Sequence, residues 1–376
     1  MSAAPPAEST EVAVVGCGVV GATTAAELAR RGADVTVFEA GDVASGASGR
    51  AAGVCYDAFA GKLDAEIAEA ALAAFRERDA ITDCPYVWLA REGDDRNAEA
   101  MDEHVPRMRK RGRDVEFIDP ANLDARWPEL RTDDVERAAI AHDAGYVDTG
   151  NYTRETAQFA IAAGADVREE TPARIDAPAC IDADARVNGD AFDAVVVAAG
   201  AHTPRLVAAA GLPIPVKAYR VQAFLSEETP LSAAVPMCYD ATGGYYLRPR
   251  DGRLFVGDGT VPEAKDPTDW DRRADAWFVD DCAGYLEQAV GQSVPEFRSW
   301  AGLCTATPDG HPLVGKRAPG IYVATGFQGH GFMRGPAIGE RLAEAVLGES
   351  PPPQFDPRRF APDEDFDIVE GMSLEE

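Results

Sequence analysis

Near the start of the chain, Gly16-Cys17-Gly18-Val19-Val20-Gly21 sets three glycines at the spacing that lets backbone wrap a pyrophosphate, and Glu39 follows 23 residues after Gly16. The first glycine permits a tight turn, the second admits a phosphate close to the backbone, and the third lets a helix pack on a strand. Glu39 would accept hydrogen bonds from the ribose hydroxyls of a dinucleotide and repel a 2′-phosphate, which disfavours NADP. The glycine spacing alone is a weak signal, because a ligand-free turn can carry it; the elements around it decide. Val12 to Val15 reads as a buried parallel strand, Ala22 to Arg30 as a helix, and Val35 to Glu39 as the next strand. This βαβ unit puts a helix N-terminus against anionic phosphates.

The loop that follows, Gly41 to Gly53, is almost entirely small residues, which bring backbone amides and serine hydroxyls within reach of phosphates or a planar group. Asp193 to Gly200 reads as another fully buried strand, its terminal glycine at the end where ligands meet open α/β sheets. Thr149 to Ala163 reads as an amphipathic helix entered by a turn over Asp143 to Asp148, and Ala165 to Arg168 as a short strand. Lys217 to Leu225, Gly244 to Arg250 and Arg253 to Gly257 read as antiparallel strands, the last two joined at Asp251-Gly252. Trp270 to Val290 is predicted helical, Gly320 to Gly326 a buried strand, and Gly335 to Leu347 a helix after a loop over Phe327 to Phe332. Leu63 to Arg78 is helical in pattern, while Arg91 to Arg113 reads as a solvated charged surface with His104 exposed.

Composition excludes several functions. With 376 residues, 46% of them hydrophobic, the chain supports two domains. A net charge of −28 leaves nothing to neutralise a run of nucleic-acid phosphates. Only Lys62, Lys110, Lys217, Lys265 and Lys316 are lysines among 36 basic residues, against 64 acids, a balance similar to that of proteins adapted to high salt, where screening relieves self-repulsion. The seven cysteines, 17, 55, 84, 180, 238, 282 and 304, show no metal or disulfide spacing and read as reduced thiols. No apolar run is long enough to span a membrane, and Met1 to Thr10 lacks the character of a signal peptide, so the expected location is the cytoplasm.

Taken in order, Gly16 to Glu39, the Ala44 to Gly53 loop, Val195 to Gly200, "WAGL…TPDGHPLVG" from Trp300 and "GIYVATGFQGHGFMRGPAIG" from Gly320 resemble the D-amino-acid oxidase superfamily of FAD-dependent oxidoreductases. The likeness runs over about residues 11 to 350 and is greatest to the branch of sarcosine oxidase beta subunits, dimethylglycine dehydrogenases and dye-linked proline dehydrogenases. It implies an α/β fold: a Rossmann-type FAD-binding domain from 11–85, 145–215 and 300–350, an α+β substrate domain with a mainly antiparallel sheet from 86–144 and 216–299, and an acidic Pro-rich tail over 351–376. By the same resemblance, Gly16, Gly18, Val19, Val20 and Gly21 meet the pyrophosphate and Glu39 and Ala40 the ribose. Ser45, Ser48, Gly49, Arg50, Ala51, Ala52 and Gly53 line the phosphate and flavin, with Ala199 and Gly200 nearby. Gly329, His330, Gly331, Phe332 and Met333 run past the flavin pyrimidine, where amides and a helix dipole stabilise negative charge.

The departures from the family are informative too. Some relatives tether FAD through a histidine where Arg50 stands, others through a cysteine where Gly302 stands, so FAD is expected to be noncovalent. Relatives also carry a carboxylate-binding arginine where Cys304 stands or a lysine where Met333 stands; both cations are missing here. Arg248 is therefore the first candidate for the substrate carboxylate and Arg334 the second, each weighed against a surface ion pair, with Tyr246 shaping the pocket. His330 is a candidate general base set against a packing role, His202 and His311 are expected to be structural, and Cys304 a small buried hydrophobe. The implied activity is oxidation of the C–N bond of an amino or imino acid, of sarcosine, glycine, proline or D-amino acid type, by hydride transfer to flavin N5. A 2-hydroxy-acid dehydrogenase and a flavin-bearing subunit of a larger hetero-oligomer stand as alternatives.

Overall fold

In the computed structural model, which describes residues 9–176 and 185–369, the first strand spans Glu11–Val15, with every residue after Glu11 buried. Parallel strands flank it, Asp34–Phe38 on one side and Ala194–Val197 on the other, with Val12 opposite both Val35 and Ala194. Strands so flanked and buried on both faces carry unbroken Val/Ala runs instead of alternation. The six-stranded sheet runs Leu313–Ala318, Ile321–Thr325, Ala194–Val197, Glu11–Val15, Asp34–Phe38, Asp166–Arg168, parallel except for the first strand.

The chain divides into two compact units. The first gathers the residues through Gly49 with Gly150–Lys217 and Thr305–Asp367; the second gathers Arg50–Thr149, Ala218–Cys304 and the residues from Ile368. Residues 50–85, grouped by sequence with the nucleotide-binding segments, thus fall in the second unit. Val54–Tyr56 pairs antiparallel with Ala144–Val147 there, and the helix Lys62–Glu77 packs on it.

An eight-stranded sheet dominates the second unit, in the order Glu296–Ala306, Lys217–Ser226, Arg253–Val261, Tyr245–Arg250, Met237–Asp240, Tyr86–Arg91, Val135–Ala141, Val115–Phe117. From Lys217–Ser226 to Val115–Phe117 neighbouring strands are antiparallel except where Met237–Asp240 runs parallel to Tyr86–Arg91. Alternation divides each strand between two faces. Leu247, Leu254 and Val256 join the helix Ala276–Val290 through Phe278, Tyr285 and Leu286, each such burial worth roughly 1.5–3 kcal/mol. The other face carries Tyr86, Trp88, Tyr239, Tyr246 and Phe255.

Local readings needed correction in several places. Ala144–Val147 is a strand, not a turn, its Gly145 lying so close to Thr82 that a Cβ would come within 2.4 Å of the Thr82 carbonyl oxygen. The helix expected from Trp270 begins at Ala276 behind Asp275, and residues 270–275 are irregular. The last helix starts at Gly331, four residues before expected, because its glycines and Pro336 mask the helical pattern. His104 and Cys304 are half-buried, not exposed and buried respectively. The tail folds onto the first unit at least through Phe366: Phe355 is buried, Arg359 forks onto Asp309 at 2.8 and 2.9 Å, and Lys217 reaches Asp365 at 2.6 Å. Among the described residues no helix is long and apolar enough to cross a membrane. The readings of residues 1–8, of Cys180 and of 370–376 lie outside the described residues.

Candidate functional site

The nucleotide cradle in the first unit is made of backbone. Gly16 takes φ +100°, and a Cβ there would lie 2.6 Å from the Ala198 carbonyl oxygen; at Gly21 it would lie 2.0 Å from the Gly16 oxygen. Only glycine fits either position, so the turn closes tightly against the strand Ala194–Val197 and the residues Ala199 and Gly200. The helix Val19–Arg30 starts at Gly18 with no side-chain cap on its own Ncap residue; the Val19 amide donates instead to Ser48 Oγ at 3.0 Å. That hydroxyl marks where an oxygen sits against the helix N-terminus. Val20 is buried beneath the turn.

Glu39 turns back onto this loop, its carboxylate accepting from the Cys17 amide at 2.7 Å and the Gly41 amide at 3.0 Å, with Ala40 exposed beside it. Burial first, then Glu39 and Glu169, pushes the Cys17 thiol up to about 12, so it is an inert neighbour. Next to this carboxylate lies a cavity of 420 Å³ lined by Asp42, Val43, Ala44, Ser45, Arg154, Ala157, Gln158, Ile161, Val167 and Glu169. Half of these residues are apolar and half polar or charged, a lining that combines packing surface with hydrogen-bonding groups. Gly49 ends the first segment of the first unit, with Ala44 in left-handed backbone (φ 66°) close beneath it.

A second helix N-terminus belongs to the same unit. The helix Gly331–Val346 packs on Val19–Arg30 through Gly335 and Gly339, where a Cβ would lie 2.5 Å from Val19 Cγ1 and from Thr23 Cβ. Sequence reasoning missed this contact, although Gly331, Gly335 and Gly339 recur at helical spacing of four. Before it, Gln328 (φ 52°) and Gly329 (φ 86°) bend the chain. Thr305 Oγ1 accepts from the Gly326 and Phe327 amides at 3.1 and 3.3 Å, and Gln328 N donates to the Thr305 carbonyl at 2.8 Å, which pins the bend. His330 caps the helix without a side-chain cap bond. Burial and the nearby Arg334 hold its imidazole well below the usual histidine range, hence neutral at pH 7. A neutral, weakly basic imidazole suits packing and hydrogen bonding better than proton abstraction. Arg334 is buried, which removes the surface-ion-pair alternative weighed against its candidacy; Phe332 packs edge-on to Tyr152 at 6.0 Å, and Met333 is buried. His202 is exposed, whereas the carbonyl of half-buried His311 accepts from Thr307 Oγ1 and Arg359.

The second unit holds Arg50, Ala51, Ala52 and Gly53, and the aromatic face of its own sheet. Trp300 Nε1 donates to the Arg50 carbonyl at 3.2 Å, and a Cβ on Gly302 would lie 4.0 Å from Arg50 Cβ, so positions 50 and 302 are neighbours. Gly53 (φ +73°) packs on the Val147 carbonyl. Tyr246 and Arg248 project from the strand Tyr245–Arg250 onto that face. Tyr246 lies across Gly257, where a Cβ would come within 2.1 Å of its hydroxyl, and burial holds the phenol protonated. Arg248 is only 2% exposed and no carboxylate pairs with it among the described residues. Its Nε donates to the Ala52 carbonyl at 2.5 Å and Nη1 to the Pro249 carbonyl at 2.7 Å, while Tyr146 and Phe255 flank it at 5.0 and 5.2 Å. Burial, then Arg250, pushes the guanidinium down to about 10, still charged at pH 7.

A parallel sheet carrying a glycine turn, an acid at the end of the second strand and a returning helix defines a Rossmann-type dinucleotide-binding protein. The family described as FAD dependent oxidoreductase matches residues 11–345, and the chain belongs to that family; FAD is its cofactor. It is similar to a glycine oxidase of Geobacillus kaustophilus (strain HTA426), 28% identical over 366 residues, covering 89% of this chain and 92% of the relative. Among solved structures it is similar to L-proline dehydrogenase from P. horikoshii (TM-score 0.84, 25% identity, 94% of this chain and 98% of that one). The structure of glycine oxidase from Geobacillus kaustophilus aligns with TM-score 0.82 at 25% identity, over 94% of this chain and 100% of that one.

Proposed function

We propose that this oxidoreductase oxidises the C–N bond of an amino or imino acid of the sarcosine, glycine, proline or D-amino acid type. The observation that carries the reading is Arg248: a buried guanidinium among aromatic rings, with no carboxylate paired to it among the described residues, is a receptor for a carboxylate. The glycine oxidase and proline dehydrogenase relatives support it. In this reading the first unit is the FAD-binding domain, with Gly16, Gly18, Val19, Val20 and Gly21 against the pyrophosphate, Glu39 and Ala40 at the ribose, and Gly329 to Met333 along the flavin. The second unit is the substrate domain. Bound FAD supplies the hydride acceptor, and the protein supplies alignment and electrostatics.

Arg248 orients the substrate through its carboxylate, Tyr246 walls the pocket, and Arg334 with neutral His330 supports the loop before the returning helix. The amine gives its proton to solvent, and water then hydrolyses the imine. Arg50 and Gly302, at the positions where relatives tether FAD, offer no such link, so FAD is held noncovalently and acid precipitation releases all of it. Six described cysteines are free thiols, which supports a cytoplasmic location, and the acidic composition supports work at high salt, where the melting temperature rises with KCl. The deciding experiment is anaerobic bleaching of the flavin with sarcosine, glycine, proline, D-amino acids and 2-hydroxy acids, followed by admission of air. Bleaching by 2-hydroxy acids alone overturns the C–N assignment; the response to air separates oxidase from dehydrogenase.

A further inference from the structure

On the strand Tyr245–Arg250, alternation sends Tyr246, Arg248 and Arg250 to one face, the two arginines about 6.6 Å apart along the strand. Their guanidinium carbons lie over the same ring, that of Phe255, at 5.2 and 5.8 Å. Phe255 meets Trp300 edge-on at 5.5 Å. Arg250 also lies 6.0 Å from the Trp300 ring, and Arg298 4.5 Å from it. Three guanidiniums are thus strung along two aromatic rings, from buried Arg248 through half-buried Arg250 to exposed Arg298.

These cations lack the counterions that others in this chain have. Arg91 pairs with Asp134 and buried Asp240, Arg113 with Asp57 at 2.6 Å, and Arg220 with Asp275 at 3.1 Å. On the aromatic face the nearest ion pair is Arg250 with Asp251, at 3.9 Å and with the carboxylate 92% exposed; among the described residues no carboxylate pairs with Arg248 or Arg298. Asp251 and Asp148 offset part of the burial that lowers Arg250, and Arg298 adds to it. In a chain with 64 acids, a face of clustered arginines with so little acid is a vacancy for anionic charge. A monocarboxylate engages one end of the row and leaves the other unmatched.

We infer that this face takes an amino or imino acid bearing a second acidic group, its α-carboxylate on Arg248 and its second carboxylate on Arg250 with Arg298. The inference rests on the amino-acid reading above for its reaction, but the binding of the dianion can be tested separately. Calorimetric titration of the flavin-loaded protein, at constant ionic strength, compares succinate and glutarate with propionate and butyrate. The dicarboxylates are expected to bind at least about tenfold more tightly, the factor for one additional charge-assisted hydrogen bond. Arg250→Gln should remove that preference and Arg298→Gln reduce it; because Arg298 is exposed, its variant carries the test if Arg250→Gln does not fold. Equal affinities, or a preference untouched by the variants, overturn the inference. Turnover separates its failure from that of the parent reading. Flavin reduction by glycine or sarcosine at least as efficient as by iminodiacetate or aspartate overturns the dianion site alone. Reduction only by 2-hydroxy dicarboxylates overturns the C–N reading and keeps the site.

Discussion

In the proposed function the two units recognise by opposite means. In the first, the binding surface is backbone: Gly16, Gly18 and Gly21 let amides and a helix end approach, and few side chains carry identity apart from Glu39 and Ser48. In the second it is side chains on an antiparallel sheet, Tyr246 and Arg248 from one strand, Phe255 from its neighbour and Trp300 from Glu296–Ala306. A backbone site is fixed by the fold and accepts the same cofactor throughout a family, whereas a side-chain site changes with single substitutions. Cofactor and substrate specificity should therefore break at different places.

The largest effect is expected at Gly16. Gly16→Val puts a branched side chain where a Cβ already meets the Ala198 oxygen at 2.6 Å, at a φ that L-residues avoid, and should cost more than about 3 kcal/mol. Absorbance at 450 nm should show protein purified without flavin; a yellow variant breaks the comparison. Next is Arg248→Met, expected to lower kcat/KM by roughly 100- to 1000-fold while the protein stays yellow, the cost of about 2–5 kcal/mol for losing a buried charged partner. An unchanged kcat/KM would remove Arg248 from recognition.

Glu39→Gln, which removes the charge but keeps an acceptor for one of the Cys17 and Gly41 amides, should weaken FAD by about tenfold in a flavin-release titration and leave substrate KM alone. The smallest effect concerns His330. Its folded pKa is depressed, so the unfolded chain binds the proton more readily, and stability is full above the unfolded value near 6.5 and falls as pH drops below it, by up to about 1.4 kcal/mol per pH unit. Melting curves from pH 8 to 5 should be flatter for His330→Asn than for the native protein; parallel curves would show that this imidazole is not held neutral.

Legibility followed the same division. The buried strands Glu11–Val15, Ala194–Val197 and Ile321–Thr325 announce themselves as apolar runs, and the glycine turn between the first strand and its helix is a local signal. The turn at Asp251-Gly252 was also visible, and both residues take positive φ. What failed was local composition at odds with tertiary context. Ala144–Val147 looked like a turn because Asp143, Gly145 and Asp148 crowd it, yet it pairs with two other strands. Gly331–Val346 hid its first turn behind glycines whose purpose is to let another helix approach. Tyr246 and Arg248 could be picked from one strand, but Phe255, Arg298 and Trp300 join them only through strand register and order, which no single segment encodes.

Arg248 also constrains how such a protein can diversify. Its Nε and Nη1 hold the Ala52 and Pro249 carbonyls, the former at the end of the Gly41 to Gly53 loop, while the remaining N–H groups are those the proposed function offers to a ligand. Any replacement surrenders an anchor along with a binding group, so the first step toward a new substrate by that route passes through a damaged enzyme. Among the described residues Arg250 and Arg298 have no comparable backbone tie, and they can be exchanged one at a time. Adaptive change in this scaffold is therefore channelled toward the outer end of the arginine row, with the inner end fixed by its double duty.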